Sequence, residues 1–219
     1  MRLKAIVLIL LLGVSVQAQD CLIGNTEALF GYDEGWLQAP ASYAQFLDPT
    51  ANNCTCDPGF VIDEVRIDLI LETGATVLAR ALLLESDNEP ACPVPGLILA
   101  TSPQVLFDGA AARDAYEIVI PCGFQCAVMD DAYFLVVEVI GLTGVADLPY
   151  TSANTGVSDK QAPGDPCTAY MDTGSGWEDM ILAGFGGGLP IEAAVTCCGD
   201  PIVDDADTWG WVKRMYKSP

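Results

Sequence analysis

The chain has 219 residues, of which thirty are acidic, nine are basic and none is histidine, so its formal net charge at pH 7 is −21. Such an acidic protein repels nucleic acid and anionic lipid, and a chain without histidine cannot use a histidine base, nucleophile or metal ligand. The length fits one all-β domain with a sizeable core.

Residues 1–18 have the pattern of a secretory signal peptide. A basic N-terminus is followed by an apolar run over 5–14 and then by the small residues Val16 and Ala18. These two fit the −3 and −1 positions, so we predict cleavage after Ala18. The apolar run is shorter than the roughly 20 residues that cross a bilayer, and we expect no membrane span after cleavage. The remaining seven basic residues face all thirty acidic ones, a net charge of −23 in a secreted or cell-surface protein.

Nine cysteines remain after that cleavage, and in an exported protein they predict a disulfide framework. They are Cys21, Cys54, Cys56, Cys92, Cys122, Cys126, Cys167, Cys197 and Cys198. The odd number leaves at least one thiol free, buried or paired to another molecule. Because sandwich domains often join their terminal strands, we favour a bridge from Cys21 to Cys197 or Cys198.

Zinc is the competing interpretation of these cysteines. Cys54-x-Cys56 and Cys122-x₃-Cys126 could supply four thiolates. Their spacing differs from that of common zinc knuckles, and an oxidising compartment favours disulfides.

The stretch from Tyr116 to Gly141 organises the predicted fold. Apolar residues alternate over 116–120, which indicates a half-buried strand, and 134–140 is an almost unbroken apolar run, which indicates a strand buried on both faces. The two predict a central hairpin around the connection from Cys122 to Cys126.

Further strands are predicted on both sides of this hairpin. Alternation before Leu71 indicates a strand that turns at 72–74 and pairs with 75–84. Shorter strands are predicted near the N-terminus and over 97–100, 105–107, 169–171, 177–185 and 191–197. The whole predicts an all-β domain over 19–203, a disulfide-stapled two-sheet sandwich of the jelly-roll type with eight or nine strands.

A polar loop rich in Gly, Ser and Pro spans 148–166, and loops of this length are often functional. With Trp36, Tyr150 and Trp177 nearby, it could form a sugar-stacking platform, because the C–H face of a sugar packs on aromatic rings. The alternative is that Trp177 is a core residue.

Clusters of carboxylates could hold a structural calcium ion, because calcium takes hard oxygen ligands. The candidate ligands are Asp33, Asp130, Asp131, Asp204 and Asp205. Their spacing does not match an EF-hand, and an acidic run is also typical of solvated surface. We expect no other cofactor.

Two enzymatic hypotheses have weak support. Asp172-Thr-Gly-Ser175 is similar to the aspartic protease motif, but the sequence contains no second copy to share a proton, so a tight turn is the simpler interpretation. A glycoside hydrolase would need two carboxylates, and nothing singles out a pair among thirty. We therefore expect no enzymatic activity.

The last stretch, 204–219, is an acidic linker followed by a basic aromatic segment, and we call it the tail. Its candidate docking residues are Trp209, Trp211, Lys213, Arg214, Tyr216 and Lys217. Large aromatic side chains are costly to expose without a purpose, so the tail predicts docking to a cell-envelope partner or a sorting function. The alternative is that it packs on its own acidic domain.

The segments Cys54-Thr-Cys-Asp-Pro-Gly-Phe60, Gly174-Ser-Gly-Trp177 and Thr208-Trp-Gly-x-x-Lys-x-x-Tyr216 resemble those of uncharacterised exported β-sandwich proteins of environmental bacteria. The resemblance implies a bacterial, extracytoplasmic setting and no assigned activity. We therefore expect a non-catalytic secreted or surface protein with a structural or adhesive role, with a glycan- or calcium-binding module as the alternative.

Overall fold

The structure is a computed structural model, and it describes residues 21–24, 37–47, 56, 59–87, 92–128, 132–149, 166–184 and 188–198. The predicted signal peptide and the tail lie outside these residues. The described chain contains thirteen strands: β1 Cys21–Gly24, β2 Ala41–Leu47, β3 Gly59–Leu71, β4 Thr76–Asp87, β5 Val94–Thr101, β6 Val105–Phe107, β7 Asp114–Pro121, β8 Ala127–Val128, β9 Tyr133–Thr143, β10 Ala146–Asp147, β11 Ala169–Asp172, β12 Glu178–Asp179 and β13 Ile191–Cys197. The predicted all-β class is confirmed.

Eight of these strands form two antiparallel sheets. The first sheet has the order β1, β13, β3, β7, and the second has the order β2, β9, β4, β5. The chain crosses from one sheet to the other after β1, β2, β3, β5, β7 and β9, which is the connectivity of a jelly roll. The short strands extend this frame: β8 and β10 pair with β3, β6 pairs with β4, and β11 and β12 extend the second sheet beyond β2.

Two predicted hairpins are wrong. The 72–74 turn does exist, closed by the bond from the Ala75 N–H to the Glu72 carbonyl at 2.9 Å, with Gly74 at φ 79°. It carries the chain from β3 in one sheet to β4 in the other, however, so these two strands do not pair. The 116–120 and 134–140 strands also lie in opposite sheets, as β7 and β9.

The main core lies between the sheets and is filled by alternate side chains. On β3, Val65, Ile67, Leu69 and Leu71 are at most 1% exposed, while the residues between them face outward. Phe60 contacts Tyr133 of the opposite sheet edge to face, with ring centroids 6.5 Å apart. This is the period-two burial predicted for the β3 segment.

A second, smaller core covers the outer face of the second sheet. The buried side chains of Phe134 and Val136 on β9 and of Leu82 and Leu84 on β4 point away from the main core. Segment 166–184 packs over them through Tyr170 and Cys167. The central strand β9 is therefore buried on both faces, as its unbroken apolar sequence predicts.

Three disulfides are described, and they differ from the favoured bridge. Their pairs are Cys56–Cys197, Cys92–Cys167 and Cys126–Cys198. Cys21 is disulfide-bonded, but Cys197 and Cys198 have other partners, so the predicted bridge from Cys21 is wrong. The terminal strands β1 and β13 are nevertheless paired along their length.

The remaining cysteines settle two further points. Because Cys56 and Cys126 are in disulfides, they cannot be zinc ligands, and the alternative zinc site is excluded. Cys122 is a free thiol, so it is not part of the predicted framework. Cys54 lies outside the described residues.

Candidate functional site

Most of the predicted site residues lie outside the described part of the chain. They are the tail residues Trp209, Trp211, Lys213, Arg214, Tyr216 and Lys217, the aromatic residues Trp36 and Tyr150, and the calcium candidates Asp33, Asp130, Asp131, Asp204 and Asp205. Of the predicted sugar platform, the structure therefore places Trp177 only.

Trp177 is half-buried at the margin of the second core. It follows a turn in which one carboxylate oxygen of Asp172 accepts the N–H groups of Gly174 and Gly176, at 2.7 and 3.0 Å. The two glycines have φ values of 101° and 104°, which side chains disfavour. The protease-like motif is therefore a tight turn that holds the tryptophan against the sheet.

An aromatic row lies beneath this turn on the outer face of the second sheet. Phe134 contacts Phe46 and Tyr170 edge to face, with centroid distances of 5.4 and 5.5 Å. The Tyr170 hydroxyl donates to the Pro93 carbonyl at 2.8 Å and lies 3.2 Å from the Cys92 sulfur. Burial, together with the nearby Asp179 carboxylate, raises the pKa of Tyr170 to about 12.

Asp179 fixes the segment that covers this row. Its two carboxylate oxygens accept different backbone groups, one the Cys167 N–H at 2.5 Å and the other the Leu182 N–H at 3.0 Å. Cys167 adopts φ 71°, a left-handed conformation that is uncommon outside glycine. The Cys92–Cys167 disulfide and the buried Asp179 carboxylate together hold this conformation. The predicted strand 177–185 is wrong beyond β12, because the chain turns after Asp179.

Asp179 and the two sulfurs also form the one group of potential metal ligands within the described residues. The sulfurs of Cys92 and Cys167 are bonded to each other, so they do not offer thiolates to a metal.

An acidic surface lies on the outer face of the first sheet and was missed from the sequence. Asp68 and Glu117 are directly opposite each other on β3 and β7, and Glu192 of β13 is opposite Arg66. Burial raises the pKa of Asp68, and the Glu117 carboxylate raises it further. Burial also raises the pKa of Glu192, although Arg66 at 3.9 Å opposes this. The outward-facing polar residues were visible in sequence, but strand register brought them together.

The free Cys122 lies beside β3. Its N–H donates to the Asp63 carbonyl at 2.7 Å, and its thiol donates to the Ile120 carbonyl at 3.3 Å. Burial raises the pKa of the Cys122 thiol to about 12, so it is almost entirely protonated and unreactive at neutral pH.

Four exposed aliphatic residues lie on β5 and β6, the two strands that pair with β4 on the side away from β9. Leu97, Ile98 and Leu99 on β5 are 73%, 60% and 48% exposed, and Leu106 on β6 is 60% exposed. Two register irregularities between β4 and β5 break the alternation, so three consecutive side chains reach solvent. We call these four residues the aliphatic edge. Sequence reasoning took the same run for an ordinary strand, because a continuous apolar segment normally indicates burial.

No protein-family model and no curated protein matches the sequence. In structure, the chain is similar to the cysteine protease and lectin-like domains of Cwp84, a surface-layer-associated protein of Clostridium difficile, with a TM-score of 0.52, 13% identity and coverage of 82% of this chain and 36% of that chain. It is also similar to clostridial Cwp84 after propeptide cleavage, with a TM-score of 0.53, 12% identity and coverage of 82% and 40%. The chain thus spans two fifths or less of each solved Cwp84 chain, and the similarity shows a shared fold.

In the described part of the chain, no helix has the length and hydrophobicity required to cross a bilayer.

Proposed function

We propose that the protein is a secreted or cell-surface β-sandwich module with a non-catalytic structural or adhesive role, attached to a cell-envelope partner through its tail. Three disulfides join cysteines that are 72 to 141 residues apart in sequence, and such bridges persist in oxidising compartments. The similarity in fold to Cwp84, a surface-layer-associated protein, supports the same setting.

The aliphatic edge is the observation that favours a binding role. Four large aliphatic side chains are 48% to 73% exposed on adjoining strands of one sheet. A cluster of exposed apolar side chains, such as that of Leu97, Ile98 and Leu99, marks an interaction site on a soluble protein.

The tail supports attachment through its chemistry. Segment 208–217 contains three basic residues and no acidic ones, whereas 19–207 carries a net charge of −26. It also contains Trp209, Trp211, Met215 and Tyr216, the type of residue that dominates binding energy at interfaces. An anionic, partly apolar envelope component fits this combination.

A rebinding assay tests the attachment. Purified full chain and a version that stops after Asp207 are each added to envelopes from a host strain that lacks the protein. The full-length variant Leu182→Ser is the control, because it changes an exposed residue outside the tail. We expect the full chain and the control to sediment with the envelopes and the shortened chain to stay in solution. Equal sedimentation of all three would refute the attachment.

Glycan binding is the second candidate, and one observation favours it. The half-buried Trp177 follows an exposed glycine-rich turn, beside the exposed Glu178 carboxylate, and so could stack on a sugar ring while carboxylates take its hydroxyls. The solved Cwp84 chain with a similar fold includes a lectin-like domain. A glycan array probed with the full chain and with Trp177→Leu tests this function. We expect the full chain to bind specific glycans and the variant to lose that binding, and equal binding by both would contradict a role for Trp177.

A calcium site is the remaining proposal from the sequence, at Asp33, Asp130, Asp131, Asp204 and Asp205. We expect calcium to raise the melting temperature and EDTA to lower it if the site exists. If neither calcium nor EDTA changes the melting temperature, the protein has no structural calcium site.

A further inference from the structure

The aliphatic edge is too small for an ordinary protein–protein interface. A standard interface takes roughly 20–30 residues from each partner, and this surface offers four. The two register irregularities in β5 also disturb its outer row of backbone groups, which disfavours the addition of a whole strand. An occupant must therefore be short and bind mainly through its side chains.

The charges around the edge define the occupant further. Neither β5 nor β6 contains a charged residue, while the exposed carboxylates of Glu85, Asp87 and Asp108 border the two strands. The nearby Arg80 is neutralised by its ion pair with Glu138. An apolar surface framed by carboxylates favours an occupant that is apolar and cationic.

Segment 208–217 of this chain has that composition. It carries Trp209, Trp211 and Tyr216 for the aliphatic side chains, and three basic residues for the bordering carboxylates. Its length matches the two short strands that form the edge.

The topology places this segment within reach. Cys198 donates its N–H to the carbonyl of Gly59, the first residue of β3, at 2.9 Å, and is bridged to Cys126. The β3–β4 connection lies at the opposite end of the sandwich, so the end of β4 and the first half of β5 lie at the Cys198 end. Across the core β13 faces β9, which lies two strands from β5.

The distances are compatible with this path. Sheets pack about 10 Å apart and strands about 5 Å apart, so Leu97 and Ile98 lie roughly 15 Å from Cys198. Leu106 pairs with Leu78, six residues before the partner of Ile98 on β4, so it lies about 20 Å further along the sheet. The intervening residues 199–207 span up to about 30 Å when extended. A short tether also gives a millimolar effective concentration, which favours the segment of the same chain over that of a second copy.

We infer that the aliphatic edge is the docking site of segment 208–217 of the same chain. This inference rests on the proposed function, because it names where the attachment segment is held in the free protein. The envelope partner and the edge then compete for the same aromatic side chains, so docking on the edge keeps the tail covered until a partner takes it.

Methyl NMR spectra of the full chain test the docking. The rings of the segment should shift the methyl signals of Leu97, Ile98, Leu99 and Leu106 relative to a chain that stops after Asp207. The Leu182 methyl signals serve as the control, because that leucine is 73% exposed but lies outside the edge. Identical spectra for the two chains would overturn the inference.

A titration gives the magnitude. A synthetic peptide of residues 208–217 should bind the shortened chain, and Leu97→Ser with Ile98→Ser should weaken that affinity at least about tenfold, since two aliphatic contacts are lost. Leu182→Ser should leave the affinity unchanged. Equal affinity of the peptide for the double variant and for Leu182→Ser would overturn the assignment of the site.

Dilution separates the same chain from a second copy. Methyl shifts that persist at low protein concentration support docking within one chain, and shifts that vanish on dilution would show that the occupant comes from another copy. None of these three experiments uses envelopes, so a failure of the proposed attachment would leave their results unaffected. A failure of the docking would in turn leave the result of the rebinding assay unaffected.

Discussion

Replacing Asp179 by Asn removes the group that fixes the outer covering segment. The carboxylate uses a different oxygen for each of two backbone N–H groups, those of Cys167 and Leu182. An amide has one carbonyl oxygen, so it must lose one of these bonds and turn its own N–H₂ toward a donor. Hydrogen bonds to a charged acceptor contribute about 1.5–3 kcal/mol each, and an unpaired buried donor adds a further cost. We expect Asp179→Asn to lower the free energy of unfolding by about 2–4 kcal/mol.

The turn at Asp172 provides a matched control. Its carboxylate also accepts two backbone N–H groups, but both go to the same oxygen and the turn is exposed. The carbonyl oxygen of Asn can keep both bonds, so Asp172→Asn should cost less than about 1 kcal/mol. Thermal unfolding should show a fall in Tm of about 5–10 °C for Asp179→Asn and little change for the control. Equal Tm values for the two variants would refute the two-oxygen argument.

Three further predictions concern other parts of the fold. Cys122 should react with iodoacetamide roughly a thousandfold more slowly than an ordinary thiol, because its pKa is about 12, and mass spectrometry should detect rapid labelling after unfolding only. Phe134→Ala should cost about 3–5 kcal/mol in denaturant unfolding, because the ring is fully buried between two others, whereas Leu182→Ala, at a leucine that is 73% exposed, should cost almost nothing. The raised pKa of Asp68 means that the fold prefers its protonated form, so the stability it contributes is present below the unfolded-state value of 3.8 and is lost as pH rises through the folded value. Asp68→Asn should therefore raise Tm at neutral pH but not in acid. A fall in Tm at neutral pH would contradict this.

The sequence predicted strands better than their partners. Alternation along β3 identified the buried side of Val65, Ile67 and Leu69, because side-chain direction follows a period of two. The same pattern does not say in which sheet the next strand lies. The turn at 72–74 could close a hairpin or cross between sheets, and the jelly roll uses it to cross. Long-range packing of both apolar faces decides this.

The cysteine pairs were beyond the sequence for a similar reason. Pairing of β1 with β13 puts Cys21 opposite Val195, so the terminal strands are neighbours as expected. The sulfur of Cys197 nevertheless bonds to that of Cys56, and the Cα atoms of these two cysteines are 4.9 Å apart. Disulfide partners depend on Cβ directions, which a spacing pattern does not contain.

The candidate surfaces show the same limit. Trp177 was visible as a candidate, but its position at the margin of a second core depends on segment 166–184 folding back over β9. The exposure of Leu97, Ile98 and Leu99 follows from irregular pairing with β4, and an apolar run without charges gave no sign of it. Register thus decided which apolar residues became surface.

Fractionation of the native host tests whether the tail attaches the protein to the cell envelope. Cells express either the full chain or a version that stops after Asp207, and immunoblots follow the protein in cytosol, envelope and medium. We expect the full chain with the envelope and the shortened chain, in equal total amount, in the medium. A full chain that remains in the cytosol would contradict the extracytoplasmic setting, and identical fractionation of the two chains would contradict attachment through the tail.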